Sequence, residues 1–211
     1  MRDQPREPTG APVTRAALVP AAGLSARMGR PKLLLPVGGI PLIARVVAAF
    51  RDGGADRVVV VAAPPDAPGA PEIAGIARDS GAEVVVAPTP PPDMRASIVL
   101  GIDHLAGGPE PSTVLLAPAD SPGLNPALVA RVIGIASRSP TRIVVPRYEG
   151  RRGHPISLPW ALAKAIRGLP PGVGVNALLA GHPGEVEAFD ADDPAILADL
   201  DTPEDYRRWE R

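Results

Sequence analysis

Two kinds of apolar pattern alternate along this chain. Short apolar runs rich in Val, Leu and Ala read as strands: Ala16–Pro20, which reads as buried, Arg57–Ala62, Glu83–Ala87, Thr113–Ala117 and Arg142–Pro146; Glu185–Phe189 should be a strand as well. Between them lie longer stretches with apolar residues every three or four positions, which read as helices. In Ile40–Arg51 the stripe is Ile43, Val46, Val47 and Phe50. Pro71–Gly81 and Met94–Gly108 repeat the pattern, the second closed by glycines. Asn125–Arg138 is the clearest helix: Asn125 can cap it, Pro126 fits its first turn, and Val129, Val132, Ile133 and Ala136 form its inner stripe. After an irregular stretch, shorter helices are expected near Pro159–Arg167 and Val175–Ala180. Thr202, Pro203 and Asp205 form a capping pattern for a last helix.

Continuous apolar strands separated by helices predict a single-domain α/β fold with a mainly parallel, doubly wound (Rossmann-like) sheet. Such sheets bind ligands beyond the carboxyl ends of their strands. The loops after Pro20, Ala62, Ala87, Ala117 and Pro146 are therefore where chemistry is expected.

Composition narrows the function. The 211 residues suit one domain. Apolar residues make up 45 % and aromatics only 3 %, so the core is built from Ala, Val, Leu and Ile. A formal net charge of −1 argues against a general nucleic-acid binder; a nucleotide site would need a local cluster of positive charge. The chain has no cysteine, which excludes disulfides, thiolate metal sites and thiol nucleophiles and suits a cytoplasmic location. No stretch approaches the roughly 18 apolar residues that would span a bilayer, so no membrane partner is expected. Residues 1–15 carry charges and prolines but no apolar centre; they read as a flexible tail, not a secretory signal, with 16–211 as the folded domain.

The loop after the first strand, AAGLSARMGRPK, turns small, glycine-rich and cationic. Ala21, Ala22 and Gly23 allow backbone N–H groups to approach an anion closely. Arg27 and Lys32 can neutralise phosphate charge, one as a fork and one as a point charge. The spacing fits neither a Walker A loop nor GxGxxG. The chain holds only two lysines, Lys32 and Lys164, against twenty arginines, so a lysine in this loop stands out.

The longer stretch LVPAAGLSARMGRPKLLLPVGGIPLI resembles the signature AAGxSxRMGxxKxLLPxxGxPL of nucleotidyltransferases. From about Ala17 to Arg208 the chain resembles the MobA-like NTP transferase family. AAG in place of AGG resembles its cytidylyl-transferring members, most nearly molybdenum cofactor cytidylyltransferase. The resemblance implies a fold of the nucleotide-diphospho-sugar transferase type. VLLAPADSPGL carries Asp120 where the family has GDQP, which implies a Mg²⁺ ligand; Ala119 and Ser121 depart from the pattern. ADLDTPEDY resembles DIDTPED and implies Asp199 as the second metal ligand. Asp201 is the alternative, expected instead to serve the turn into the last helix and not to share one ion with Asp199. PPDMRASIVLGI resembles the segment that meets the base, through Arg95 and Ser97, with Asp93-Met94 replacing the family's Gly-Met. GRRGHPISL resembles GRRGHPVLF and implies that Arg151, Arg152, Gly153 and His154 hold an anionic acceptor such as a pterin phosphate. His104 and His182 have no such setting, and no His or Cys spacing suggests zinc.

The implied reaction is Mg²⁺-dependent transfer of CMP from CTP to the phosphate of molybdopterin, releasing pyrophosphate, with Arg27 and Lys32 stabilising phosphate charge. The implied partners are small molecules, with a recipient molybdoenzyme or its chaperone as a further candidate. Two alternatives stay open. One keeps the fold and changes the nucleotide or acceptor: guanylyl transfer to molybdopterin, or transfer to a sugar or polyol phosphate. The other is a non-catalytic nucleotide- or cofactor-binding protein, to which the altered PADSP segment points.

Overall fold

The computed structural model describes residues 14–23 and 28–210. The expected tail lies outside these residues except for Thr14 and Arg15; Arg15 opens the first strand. The strands are β1 (Arg15–Ala21), β2 (Pro36–Val37), β3 (Ile40–Pro41), β4 (Arg57–Ala62), β5 (Glu83–Val86), β6 (Thr113–Leu116), β7 (Ile143–Tyr148), β8 (Arg151–Arg152), β9 (Ile156–Pro159) and β10 (Val186–Asp190). The helices are α1 (Leu42–Asp52), α2 (Ala70–Asp79), α3 (Met94–Ala106), α4 (Pro126–Arg138), α5 (Trp160–Ala165), α6 (Val175–Gly181) and α7 (Pro203–Arg207).

One sheet runs in the order β10-β7-β9-β6-β1-β4-β5, with β8 paired to β7. β1 is flanked by parallel β4 and β6, and six of its seven residues are buried. Strands covered on both faces cannot alternate in polarity, which is why their sequences read as unbroken apolar runs. After β5 the chain crosses to the far side of β1 to lay down β6. That reversal opens a crevice at the carboxyl ends of β1 and β6, where doubly wound sheets bind ligands.

Two apolar layers sandwich the sheet. On one face α1 packs Val46 and Phe50 toward β4 and α4 packs Val129 and Val132 toward β7 and β9, in one apolar cluster with Val19, Leu115 and Val144. On the other, α3 and α5 pack Ile98, Ile102 and Ala163 against β1, β6 and β9. Glycine permits two of the close approaches. A Cβ at Gly53 would sit 2.5 Å from Val129 Cβ, so the end of α1 can rest on α4 only without a side chain there. A Cβ at Gly101 would collide with Leu18 Cδ1, where α3 crosses β1.

The sequence reading missed β9, which runs antiparallel to both β6 and β7. Ser157 breaks its apolar run and prolines bracket it, yet Ser157 is fully buried. The β2–β3 hairpin is a second difference from the sequence pattern. Gly38 and Gly39 both have positive φ, as a two-residue turn of matching twist requires, and this takes Ile40 and Pro41 out of the expected first helix. Among the described residues, no helix is long and apolar enough to cross a membrane.

Candidate active site

The crevice is a cleft of about 390 Å³. Its lining draws on five segments: Pro20–Gly23 at the end of β1, Lys32 and Leu33, the Pro91–Met94 turn with Ser97, Pro118–Asp120 after β6, and Asp201. Ala21, Ala22, Gly23, Lys32, Ser97 and Asp120 of the sequence-derived set therefore meet here. Arg27 lies outside the described residues.

Lys32 begins a 3-10 turn (Lys32–Leu34) that neighbouring elements hold in place. Below it, a Cβ at Gly69 would come within 2.7 Å of Pro31 Cγ, so the β4–α2 loop abuts Pro31 directly. On the other side Tyr206 of α7 donates its hydroxyl to the Pro36 carbonyl at 2.9 Å, and Arg30 stacks 5.5 Å from the Tyr206 ring centroid. The capping box of Thr202 and Asp205 fixes the start of α7, as its sequence indicated.

The Lys32 ammonium donates to Asp120 Oδ2 at 2.5 Å and to Asp201 Oδ1 at 2.9 Å. Burial opposes charge on this lysine, but the two carboxylates outweigh it and raise its pKa. Lys32 is thus a cation at neutral pH, already bridging two carboxylates.

Asp199 and Asp201 do not divide as expected. Extended residues two apart face the same way. Leu200 between them is fully buried and its N–H donates to the Asp120 carbonyl at 3.0 Å. Asp201 therefore reaches the cleft and contacts Lys32. The Asp199 carboxyl senses the same charges: partial burial, then Asp120 and Asp201, push its pKa up to about 6. Capping of α7 falls to Thr202 and Asp205, leaving the Asp201 side chain for the cleft.

α3 separates the two residues expected at the base. Residues two apart on a helix diverge by roughly 200°. Ser97, buried, lines the cleft together with Met94, whereas Arg95 turns into a neighbouring groove with Pro88, Thr89 and Val99. Arg95 is thus not among the residues that line the cleft. Asp93 is the residue the sequence reading overlooked as a site former. Its side chain caps α3 through the Ala96 N–H, accepts the Gly172 N–H from the turn before α6, and lines the cleft. An Asp directly before an apolar helical stretch is a recognisable N-cap signal.

The expected acceptor group is split as well. Arg151 and Arg152 form exposed β8 and are not part of the cleft lining. Gly153 and His154 lie deeper: the His154 N–H donates to the Ile196 carbonyl, and a Cβ at Gly153 would come within 2.7 Å of Ile196. Burial holds the His154 pKa below its ordinary value, opposed by the Leu116 backbone and the nearby Asp120 charge. Among the described residues its buried Nδ1 has no hydrogen-bond partner. No group of three or more His, Cys, Asp or Glu side chains is placed to hold a metal among the described residues. Two carboxylates converging on one ammonium are nonetheless a hard-oxygen donor pair already holding a cation, the chemistry that suits Mg²⁺ alongside substrate phosphates.

Comparison with known proteins decides the family. Residues 17–186 match the MobA-like NTP transferase domain. The chain belongs to this family. A MobA-like NTP transferase domain is a nucleotidyltransferase, and the sheet order and cleft suit that assignment. The chain is 39 % identical over 129 residues to a 2-C-methyl-D-erythritol 4-phosphate cytidylyltransferase of Ralstonia nicotianae, covering 57 % of this chain and 49 % of that protein. It is 33 % identical over 160 residues to a molybdenum cofactor guanylyltransferase of Rhizobium meliloti, covering 74 % and 69 %. In the first of these matches the chain spans about half of the relative's length. Its fold is similar to that of Rv0371c from Mycobacterium tuberculosis H37Rv, with TM-score 0.77, 26 % identity, and 94 % and 98 % of the two chains covered. The same mycobacterial protein has been solved in complex with manganese, with TM-score 0.74, 25 % identity, and 93 % and 98 % covered.

Proposed function

We propose that this MobA-like domain transfers CMP from CTP to the phosphate of molybdopterin. The observation that carries the proposal is the Lys32–Asp120–Asp201 cluster at the floor of a cleft of nucleotide size. An acceptor phosphate oxygen attacks the α-phosphorus, forming a new P–O bond. The bond from α-phosphorus to the bridging oxygen breaks, and pyrophosphate leaves with the electron pair. A phosphate is already anionic at neutral pH, so the step needs alignment and charge stabilisation more than a general base.

Each lining residue has a role in that scheme. The Ala21–Gly23 backbone receives phosphate oxygens, and Lys32 stabilises charge on the α-phosphate and the leaving group. Ser97 and the first turn of α3 receive the base. The acceptor side is assigned to Gly153 and His154, the latter near the Asp120 charge, with the exposed Arg151 and Arg152 next to them in sequence. Asp120 and Asp201, with Asp199 beside them, would hold Mg²⁺. When bound, the ion would neutralise phosphate charge. The manganese complex of the mycobacterial relative supports a divalent cation.

A second reading keeps the chemistry and changes the substrates. The Rhizobium relative supports GTP as donor, and the Ralstonia relative supports methylerythritol phosphate as acceptor. Pyrophosphate release from CTP, GTP, UTP and ATP, each with Mg²⁺ and either molybdopterin or 2-C-methyl-D-erythritol 4-phosphate, separates the readings. Release confined to CTP with molybdopterin is expected. Release with another pairing reassigns the substrates. Release with none sinks the proposed reactions. The proposed location for this chemistry is the cytoplasm.

A further inference from the structure

Lys32 stands where the proposed reaction needs a metal ion. Its ammonium is within hydrogen-bonding distance of both Asp120 Oδ2 and Asp201 Oδ1, and only 13 % of its side chain is exposed. An ammonium and a divalent cation compete for the same oxygens, and side by side they repel in a poorly solvated cleft. The surrounding backbone is anchored: Leu200 is bonded to Asp120, Gly69 abuts Pro31, and Tyr206 holds Pro36. The competition therefore falls on the flexible four-carbon stem of Lys32 rather than on movement of these anchored segments. The chain Ala21-Ala22-Gly23 lies in the same cleft and offers a place where polyphosphate charge can gather near that stem.

We propose that Lys32 keeps the Asp120–Asp201 pair closed to a divalent cation until a polyphosphate draws the ammonium away. The inference rests on the nucleotidyltransferase reading of the cleft. Lys32 then serves twice, as counter-ion of the carboxylates before the nucleotide arrives and as counter-ion of the phosphates afterwards. By linkage, the affinity that Lys32 denies to the lone metal returns once phosphate is bound.

Nucleotides chelate metal in solution, so the decisive quantity is metal binding without nucleotide. Mn²⁺ alone is titrated by electron paramagnetic resonance into the wild-type chain, Lys32→Met and Arg30→Met. Lys32→Met is expected to bind Mn²⁺ at least about tenfold more tightly than wild type, within the usual range of coupling between sites. Arg30→Met removes the same charge from a side chain that lies over the Tyr206 ring rather than on the carboxylates, and is expected to change Mn²⁺ affinity by less than about threefold. A second readout needs no variant. With ¹⁵N-lysine labelling the chain has two ammonium signals, and Lys164, paired with Glu110 at 3.2 Å, is the reference. Mg²⁺ alone is expected to leave the Lys32 signal in place, and metal-free CTP or GTP to shift it. Equal Mn²⁺ affinity in wild type and Lys32→Met, with nucleotide still bound, overturns the role of Lys32 and leaves the site reading standing. If neither CTP nor GTP binds or shifts Lys32, both fall.

Discussion

Asp93 joins two segments that are far apart in sequence: Oδ1 accepts the Ala96 N–H at 2.7 Å and Oδ2 accepts the Gly172 N–H at 3.0 Å. The first bond caps α3. The second ties the proline-rich turn of the cleft to the loop before α6. These N–H groups hold the Asp93 carboxyl below its usual pKa. Asp93→Ala loses both bonds and should cost about 1–2 kcal/mol in urea unfolding. Asp93→Asn keeps a capping oxygen and should cost less than half as much. Equal losses would mean that the contacts, as drawn, do not hold the turn.

Gly69 sets the position of Lys32 from beneath. Its φ is +73°, and a Cβ there would overlap Pro31, next to Lys32. Gly69→Ala should destabilise the chain by about 1–3 kcal/mol, from backbone strain and displacement of Pro31. It should also weaken nucleotide binding measured calorimetrically. Unchanged nucleotide affinity in a destabilised variant would show that Lys32 does not depend on this packing.

Stability and chemistry separate at the amino end of the sheet. Arg57 grips Glu83 with two bonds of 2.7 and 2.8 Å, and His104 adds a third contact. Arg57 first, against partial burial, with His104 assisting, lowers the Glu83 pKa to about 2. A depressed carboxylate contributes stability above its unfolded pKa of 4.5 and loses it as pH falls toward 2. The Glu83 side chain is 40 % exposed, so solvent screening reduces the contribution to about 1 kcal/mol. Glu83→Gln should therefore be less stable than wild type at pH 7, converge with it toward pH 2, and bind nucleotide normally. A constant gap across that range would remove the ionic explanation.

The carboxylates can be ranked by kinetics. Lys32→Ala and Asp120→Asn should each lower turnover by about 10²–10³-fold with modest loss of stability, as expected for groups that meet charge developing in the transition state. Asp201→Asn should fall further than Asp199→Asn, because Asp201 lines the cleft and contacts Lys32. The reverse order would make Asp199 the principal ligand of the pair.

Much of this was legible in the sequence because its causes are local. Unbroken apolar runs gave the parallel strands, and Asn125 and Thr202 marked their helix starts. The signature loop leads to the crevice because Ala21–Gly23 and Lys32 are contiguous with the end of β1. The misreadings were about direction and long-range pairing. Ser157 concealed β9, whose place depends on Leu115 and Val144 far along the chain. Arg95 and Ser97 are neighbours in sequence but face different grooves, because a helix turns between them. Asp201 reads as a turn residue first and a metal ligand only as the alternative, because its partner, Lys32, is distant in sequence.

A crystal structure with Mn²⁺ and whichever of CTP or GTP binds more tightly tests the central claim most directly. The account predicts triphosphate density along Ala21–Gly23, the anomalous Mn²⁺ peak at Asp120 and Asp201, and the Lys32 ammonium moved from these carboxylates to phosphate oxygens. A triphosphate bound elsewhere, or bound here with Lys32 still on Asp120 and no metal between the carboxylates, would contradict it.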